Sequence, residues 1–319
     1  MVTLRRATVG WAIVVLACSL LSATASGCFV PVGGCGAPEQ HLATGEPTPS
    51  GSSDPAMSAA PLAETCDALD LGEFEAACGA MTTTTYASAD GSPSGFGTPS
   101  SPVDLPTALA RCAGRACRIR VAAGTHVLTG GGQLAGCISL EGGYGASGTT
   151  WVLGPERTTI AGTLNVSGRA WIQNVDLDSG ANGIVASPTT GQLVVRDVTV
   201  HGAANGVVIG ALENGGQTRL CDVQASGTRA LFVAAQVRGV RLERGDWQGT
   251  DAGVWIAGST SDVQLTGASI FGGNAGVRID SGSSVVLRGN AISSYEVPVE
   301  SANADVSSTD NEEHVTPRS

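Results

Sequence analysis

A repeat of 22 to 25 residues is the feature that most constrains how this chain can fold. Aliphatic residues, here called the anchors, recur at that spacing: Ile172, Val195, Leu220, Leu242, Leu265 and Leu287. Further apolar columns lie two residues before, five after and twelve after the anchors. Within each copy, apolar and polar residues alternate with the two-residue period of a β-strand. Each copy therefore predicts three very short strands.

The corners between these strands repeat as well. Asn, Asp or Gly stands two residues after most anchors, at Asn174, Asp197, Asp222, Gly267 and Gly289. These residue types tolerate left-handed backbone angles, so a tight corner is expected there. Three strands and three corners in about 23 residues describe one coil of a parallel β-helix, whose coils stack at ~4.8 Å. The alternative, a β-sandwich, would need longer strands.

The chain resembles the right-handed parallel β-helix proteins of the pectate-lyase-like superfamily from about Val103 to Ser308. Arg118 to His126 and Ile138 to Gly145 resemble the first two coils of that family. Asp104 to Arg111 reads as a short amphipathic helix that covers the first coil. The resemblance implies an all-β, right-handed, single-stranded parallel β-helix with three short strands per coil. We expect about eight coils and a short N-terminal capping helix.

The N-terminus reads as an export signal. Arg5 and Arg6 precede an apolar run, Gly10 to Leu21, that is too short to span a membrane comfortably, and small residues follow. Ala25-Ser26-Gly27-Cys28 resembles the lipobox of bacterial lipoproteins, which implies lipidation of Cys28. This predicts export to the bacterial outer membrane or cell surface with a lipid anchor. Ordinary cleavage, which would leave a secreted protein, is the alternative.

Composition shifts along the chain divide it into five segments. We expect a signal peptide (1–27), a low-complexity tether (28–63), a Cys-containing and Ser/Thr/Gly-rich spacer (64–102), the β-helix (103–308) and an acidic polar tail (309–319).

Seven of the nine cysteines lie beyond the signal and Cys28. They are Cys35, Cys66, Cys78, Cys112, Cys117, Cys137 and Cys221. An exported chain meets an oxidising compartment, so disulfides are expected. The local candidates are Cys66 with Cys78, and Cys112 with either Cys117 or Cys137. Zinc is the weaker interpretation, since there is no C-x-x-C and no His near these cysteines.

Charge excludes one class of partner. The net charge is −11, and all 17 basic residues are Arg. A nucleic-acid partner would require a concentrated basic stripe, and the sequence has none. The same acidity disfavours a polyanionic substrate.

Two outward columns could carry chemistry. Asp176 and Asp178 lie four and six residues after one anchor, and His201 lies six residues after the next. Paired carboxylates can hydrolyse a glycosidic bond or bind Ca²⁺. His201-Gly202 beside them resembles the polygalacturonase arrangement, whereas the Arg-x-Lys motif of that arrangement is absent because the chain has no Lys. Asp176, Asp178 and His201 are therefore the catalytic candidates, and a solvated polar face is the alternative.

A third outward column is apolar. Thirteen residues after the anchors, allowing one deletion, come Val185, Val208, Phe232, Trp255 and Arg278. Exposed apolar columns are typical of partner surfaces. Val208, Phe232 and Trp255 are therefore candidate binding residues, unless the segment before Val103 covers them.

These observations predict an exported, lipid-anchored β-helix that acts as a non-catalytic binding or structural module. Its ligand would be a polysaccharide or a surface protein, and the sequence leaves its oligomeric state open. The alternative is a polysaccharide lyase or glycoside hydrolase that uses Asp176, Asp178 and His201. No cofactor is expected, and Ca²⁺ is the only candidate ion.

Overall fold

The computed structural model describes residues 65–79, 81, 83–187, 191–210 and 216–318. The predicted signal peptide, the tether, Cys28 and Cys35 lie outside these residues. No helix within the described ranges is long and apolar enough to cross a membrane.

In this part of the chain the strands belong to one sheet that winds into a β-helix. Its strand pairings are parallel except for one antiparallel hairpin, in which Tyr144 pairs with Leu153. Two α-helices occur in it, α1 (Leu71–Ala77) and α2 (Leu105–Cys112), besides a 3-10 turn at Cys66–Ala68. The strands, in chain order, are β1 (Thr83–Ala87), β2 (Arg115–Ala122), β3 (Gly124–Val127), β4 (Gly132–Leu134), β5 (Gly136–Ser147), β6 (Thr150–Leu153), β7 (Thr158–Ala161), β8 (Leu164–Val166), β9 (Arg169–Ser179), β10 (Asn182–Ala186), β11 (Gln192–Gly202), β12 (Asn205–Ile209), β13 (Gln217–Val233), β14 (Arg238–Ile256), β15 (Ser261–Thr266), β16 (Ser269–Gly272), β17 (Ala275–Ile279), β18 (Ser284–Arg288), β19 (Ala291–Ser294), β20 (Val297–Ser301), β21 (Asp305–Thr309) and β22 (Glu312–Val315).

Each coil has three sides. Side one carries the anchors, side two follows the corner two residues after the anchor, and side three follows the next corner. β9 and β11 run through sides one and two, and β13 and β14 run through all three. Side three stacks β4, β8, β10, β12, β13, β14, β17 and β20, which confirms about eight coils.

The anchors form one buried file on side one, as the repeat predicts. Neighbours pair in register from Ile172 to Leu287, and each anchor is at most 1% exposed. Thr85, Ile119 and Leu140 extend the file in one direction, and Ser308 extends it in the other. We number the levels of side one from one at Thr85 to ten at Ser308. Burial of these aliphatic columns provides the main stabilisation of the coil stack.

The corner prediction is confirmed by the backbone. Asn174, Asp197 and Asp222 have φ angles of 55°, 51° and 52°, and Gly267 and Gly289 have φ angles of 62° and 61°. Arg244 occupies the same corner at level seven with a φ of 63°. An Arg is uncommon in this region of backbone space, so other contacts must hold it there. Arg244 donates to both carboxylate oxygens of Asp222, at 2.7 and 2.9 Å.

The capping helix is also confirmed. The Asp104 side chain accepts a hydrogen bond of 2.7 Å from the Thr107 backbone N–H and so begins α2. The buried residues Leu105, Ala108 and Leu109 belong to the same core cluster as the first coils. The helix thus packs on the aliphatic core at the N-terminal end of the rod.

At level ten, the C-terminal end of the stack, polar residues take the place of aliphatic ones. Ser308 pairs with Leu287, and Glu313 pairs with Ile292, so polar residues occupy positions that are aliphatic below them. Both are exposed. The strand β22 lies within the segment that the sequence analysis treats as a tail and pairs with β19. The stack ends where its inward columns become polar, because no apolar surface is left to bury.

Residues 65–79 and 81, here called the strap, lie on the outer surface of side one. Leu69 and Phe74 of the strap are buried against Trp171, Val194 and Cys221. The expected Cys66–Cys78 pair is wrong, because Cys66 bonds Cys221 and Cys78 bonds Cys137. The two strap cysteines are placed over different levels of side one, too far apart to meet each other. Of the two options for Cys112, the bond to Cys117 is confirmed.

Candidate functional site

The predicted catalytic residues lie together on side two. Asp176 pairs in register with Thr199, and Asp178 pairs with His201. The outward columns deduced from the repeat are therefore present as expected. Asp178 and His201 are exposed, and Asp176 is half-buried.

Asp176 is held in an ion pair that the repeat does not indicate. The Arg157 Nε donates to Asp176 Oδ1 at 2.7 Å, and Arg157 Nη1 donates to Asp197 Oδ1 at 3.1 Å. Burial acts to lower the Arg157 pKa, but its hydrogen bonds to Asp176 and Asp197 raise it overall. The Asp176 carboxylate is thus held by a guanidinium that also binds Asp197.

His201 makes a different contact. Its Nδ1 lies 2.8 Å from the Ser226 hydroxyl on the next level, and the donor depends on the ring tautomer. Asp176, Asp178 and His201 thus share the outer face of side two, on two neighbouring levels.

Groups of three or more His, Cys, Asp or Glu side chains suited to hold a metal ion are absent from the described residues. Asp176 and Asp197 are bridged by Arg157, so a positive group already occupies the space between them. A Ca²⁺ ion at this place would have to displace that guanidinium.

An open groove of about 530 Å³ has Ser226 in its lining. It follows the end of side two and the corner into side three, from level five to level nine. We call it the groove, and its lining residues are Gly202, Ala203, Ser226, Gly227, Thr228, Gln248, Gly249, Thr250, Phe271, Gly273 and Tyr295. None of these lining residues is charged. At ~4.8 Å per level, the groove is about 19 Å long.

Glycines make the floor of the groove. A Cβ at Gly249 would lie 1.8 Å from the Ala252 carbonyl oxygen, and one at Gly273 would lie 1.9 Å from that of Thr250. The corner is so tight that only glycine fits, and the floor is therefore bare backbone. The clash with the backbone explains why glycine stands at these positions. The floor of the groove is smooth because these residues have no side chains.

One end of the groove is aromatic. The Phe271 and Tyr295 rings meet edge to face, with centroids 5.3 Å apart. Tyr295 is 38% exposed, and the Arg318 guanidinium lies 5.6 Å from its ring centroid. The repeat predicts the outward position of Phe271. Tyr295 lies in a corner, outside any periodic column, so sequence reasoning missed it.

The predicted apolar column is present on side three. Val185, Val208, Phe232, Trp255 and Arg278 pair in register and are half-buried. Phe232 and Trp255 meet edge to face at 5.8 Å. The Arg229 and Arg278 guanidinium groups lie 4.1 and 5.1 Å from the Trp255 ring centroid. The Trp255 ring therefore stacks with side chains of its own chain, through cation–π contacts.

The segment before Val103, which the sequence analysis considered as a cover for Val208, Phe232 and Trp255, packs on another side of the rod where the structure describes it. In the described part of the segment before Val103, the strap packs on side one. Tyr86 packs against Trp151, and Trp151 Nε1 donates to the Pro99 carbonyl oxygen at 3.1 Å. These contacts lie on side one and near the first levels, away from Phe232 and Trp255.

Solved structures similar to this chain include the crystal structure of the pectate lyase Pel9A. The TM-score is 0.44 at 13% sequence identity, over 74% of this chain and 78% of that one. ORF18 of Geobacillus virus E2 is also similar, with a TM-score of 0.37 and 9% identity, over 77% of this chain and 58% of that one. No protein-family model and no curated protein matches the sequence. The likeness concerns the fold alone, and the strand pairing of this chain establishes the parallel β-helix.

Proposed function

We propose that this protein is an exported, non-catalytic module that binds an uncharged polysaccharide in the groove. The N-terminal sequence supports lipid anchoring at Cys28, on the bacterial outer membrane or cell surface. The observation that carries the proposal is an open, uncharged groove with an aromatic end, beside a side-two face whose acid is ion-paired. Binding to a protein ligand is the rival within the same class.

The lining suits sugar hydroxyl groups. Ser226, Thr228 and Thr250 place hydroxyl groups along the groove. The Thr228 hydroxyl donates to the Ala203 carbonyl oxygen and keeps its acceptor capacity. The exposed Gln248 amide donates once to Asp246 and keeps a second N–H and its oxygen. Ligand sites typically combine a few such groups with aromatic surface. Phe271 and Tyr295 supply that surface, on which the apolar face of a sugar ring can pack.

The charge pattern favours a neutral ligand. The lining residues of the groove include no cation, and Arg318, which lies over the Tyr295 ring, is paired with Glu296. The net charge of −11 adds a general repulsion against polyanions. An extended neutral glycan lying along the rod axis meets neither penalty.

The enzymatic alternative, a lyase or hydrolase that uses Asp176, Asp178 and His201, has less support. A glycosidase needs one carboxyl group held protonated and a second held ionised. Asp176 is bound by Arg157 and Asp178 is exposed, so neither carboxyl group lies in an apolar pocket. The pairing of Asp178 with His201 remains the feature that favours this alternative.

Binding to immobilised neutral and acidic polysaccharides tests the proposal. We expect the mature chain to retain neutral glycans, and Tyr295→Ala and Gln248→Ala to weaken that binding at least tenfold. Trp255→Ala is the matched control, because its ring stacks on Arg229 and Arg278, and its affinity should stay within twofold. Loss of binding in Trp255→Ala with no effect of Tyr295→Ala would move the site to Val208, Phe232 and Trp255.

Product analysis on the same glycans separates binding from catalysis. We expect no release of reducing ends or unsaturated products by the wild type. Turnover that disappears in Asp178→Ala or His201→Ala would establish the enzyme instead. Mass spectrometry of the mature N-terminus tests the anchor, since an unmodified start at Ser26 would exclude lipidation of Cys28.

A further inference from the structure

The strap crosses side one from level seven to level two. At level seven, the Cys66 backbone N–H donates to Glu243 Oε2 at 2.7 Å. Asp67 pairs there with Arg244 at 3.1 Å. At the other end, Glu75 forms an ion pair with Arg118 of level two. The described chain therefore begins at level seven, beyond the middle of the rod, and runs back along side one before it forms β1 at level one.

Two disulfides fasten the strap at separate levels. Cys66 bonds Cys221 at level six, and Cys78 bonds Cys137 at level three. The sequence separations are 155 and 59 residues. Their positions within the strap differ too, because Cys66 is at its N-terminal end and Cys78 near its C-terminal end.

Without these bonds the strap is held by a small set of contacts. Toward its C-terminal end these are the ion pair of Glu75 with Arg118 and the hydrogen bond from Arg169 to the Ala77 carbonyl oxygen. Its only α-helix is α1, of 7 residues, too short to be stable alone. Its buried apolar contacts centre on Leu69 and Phe74, with the Phe74 and Trp171 rings 5.8 Å apart. Asp67 is largely exposed, so its pair with Arg244 contributes little. Such a segment would peel easily from its N-terminal end.

We propose that the strap is a mechanical mount, which transmits tension from the N-terminal side to the rod through the Cys66–Cys221 bond. Tension that arrives from the N-terminal side meets Cys66 first and passes through the disulfide to Cys221. Cys221 lies at level six, five residues before Ser226 of the groove. The bond is thus a short covalent path between the N-terminal tether and the ligand groove, and levels one to five and the rest of the strap carry none of that load.

The position of the groove fits a lateral mount. The strap covers side one, whereas the groove lies at the corner between sides two and three. In a three-sided coil this corner is opposite to side one. A rod held by its strapped side therefore presents the groove on the other side. The use of this arrangement in the cell rests on the proposed anchoring and glycan binding, but the load path itself does not.

A rival explanation is that the noncovalent contacts of the strap carry the load by themselves and that the two disulfides only add stability. The two explanations differ under force. Removing Cys78–Cys137 leaves the covalent load path intact, whereas removing Cys66–Cys221 sends the load along the strap to Cys78. If the noncovalent contacts carry the load, the strap of Cys66→Ala/Cys221→Ala stays docked at low force and shows no early extension.

Single-molecule pulling between the two chain ends, under oxidising conditions, tests the proposal. The wild type and Cys78→Ala/Cys137→Ala should show no low-force step before the coils rupture. Cys66→Ala/Cys221→Ala should show an early low-force extension as the strap peels. Its full extension should exceed that of the wild type by about 35 nm at ~3.6 Å per residue, because 59 instead of 155 residues stay hidden.

A low-force step in the wild type, or its absence in Cys66→Ala/Cys221→Ala, would overturn the mount. So would identical traces from the two double variants. The rupture of levels seven to ten, which all three proteins share, verifies that each variant is folded. The pulling is done without glycan, so failure of the proposed binding leaves this result unaffected, and failure here leaves the binding proposal unaffected.

Discussion

The strapped side one and the open corner between sides two and three are outer surfaces of the same repeat. They differ in burial, in covalent attachment and in the chemistry of their side chains. On side one the outward residues Trp171, Val194 and Cys221 are almost fully buried, and disulfides hold their cover. At the corner the lining is uncharged and open, with hydroxyl and amide groups beside two aromatic rings. The contrast teaches that nearly complete burial of outward residues marks a side covered by the same chain, whereas an open, uncharged track leaves room for a ligand.

The largest expected effect is on the strapped side. Cys66→Ala/Cys221→Ala should lower the free energy of unfolding by about 5 kcal/mol, because the bond closes a long loop in the unfolded chain. Cys112→Ala/Cys117→Ala, which opens a loop of separation 5, should cost about 2 kcal/mol. Urea unfolding under oxidising conditions measures both. Equal losses would mean that loop length is not what makes the strap bond important.

Truncating one aromatic residue on each surface sharpens the comparison. Trp171→Ala should cost about 3 to 5 kcal/mol, since it leaves a cavity beneath Phe74. Tyr295→Ala at the groove should cost about 1 to 2 kcal/mol, because the ring is 38% exposed and loses its contacts with Phe271 and Arg318. Chemical denaturation of the two variants measures both losses. A loss in Tyr295→Ala as large as that in Trp171→Ala would show that the groove aromatics are structural.

High pH should loosen the strap end at level two. Burial raises the pKa of Tyr144 to about 12, helped by its hydrogen bond to Glu141, which in turn contacts Arg118. Since the folded pKa exceeds the unfolded value, the contribution is complete below pH 10 and is lost as the pH rises through 12. The loss should be on the order of 2 kcal/mol.

Urea unfolding between pH 8 and 12 measures this loss. Tyr144→Phe is the control, and its stability should be flatter over that range. A wild-type profile as flat as that of the variant would contradict the assignment.

The smallest effect is expected near the groove. Arg157→Ala removes the partly exposed pair with Asp176 and should cost about 1 kcal/mol or less. Asp178→Ala, which removes an exposed carboxylate, should be near neutral. Glycan affinity should stay within twofold in both variants. A tenfold loss of affinity in either would extend the binding site onto the side-two face.

Much of the fold could be predicted because the signal is local and repeated. The anchor file from Ile172 to Leu287 and the left-handed corners at Asn174, Asp197 and Asp222 follow from spacing and residue type alone. Arg157 could not be placed, since the register is unclear between Trp151 and Val166 and the Arg acts from an irregular turn. Tyr295 was missed for a similar reason, because a corner residue belongs to no column.

The sequence by itself determined the coil: alternation sets which residues face inward, corner residues set where the chain turns, and stacking repeats both at every level. The tertiary structure alone decided what covers each outward surface. Cys66 meets Cys221 across 155 residues, a pairing that no spacing rule predicts, because it depends on which face the strap docks against. The physical reason is that strand periodicity is set by neighbours along the chain, whereas the choice between a covered and an open face is made by contacts between residues far apart in the sequence.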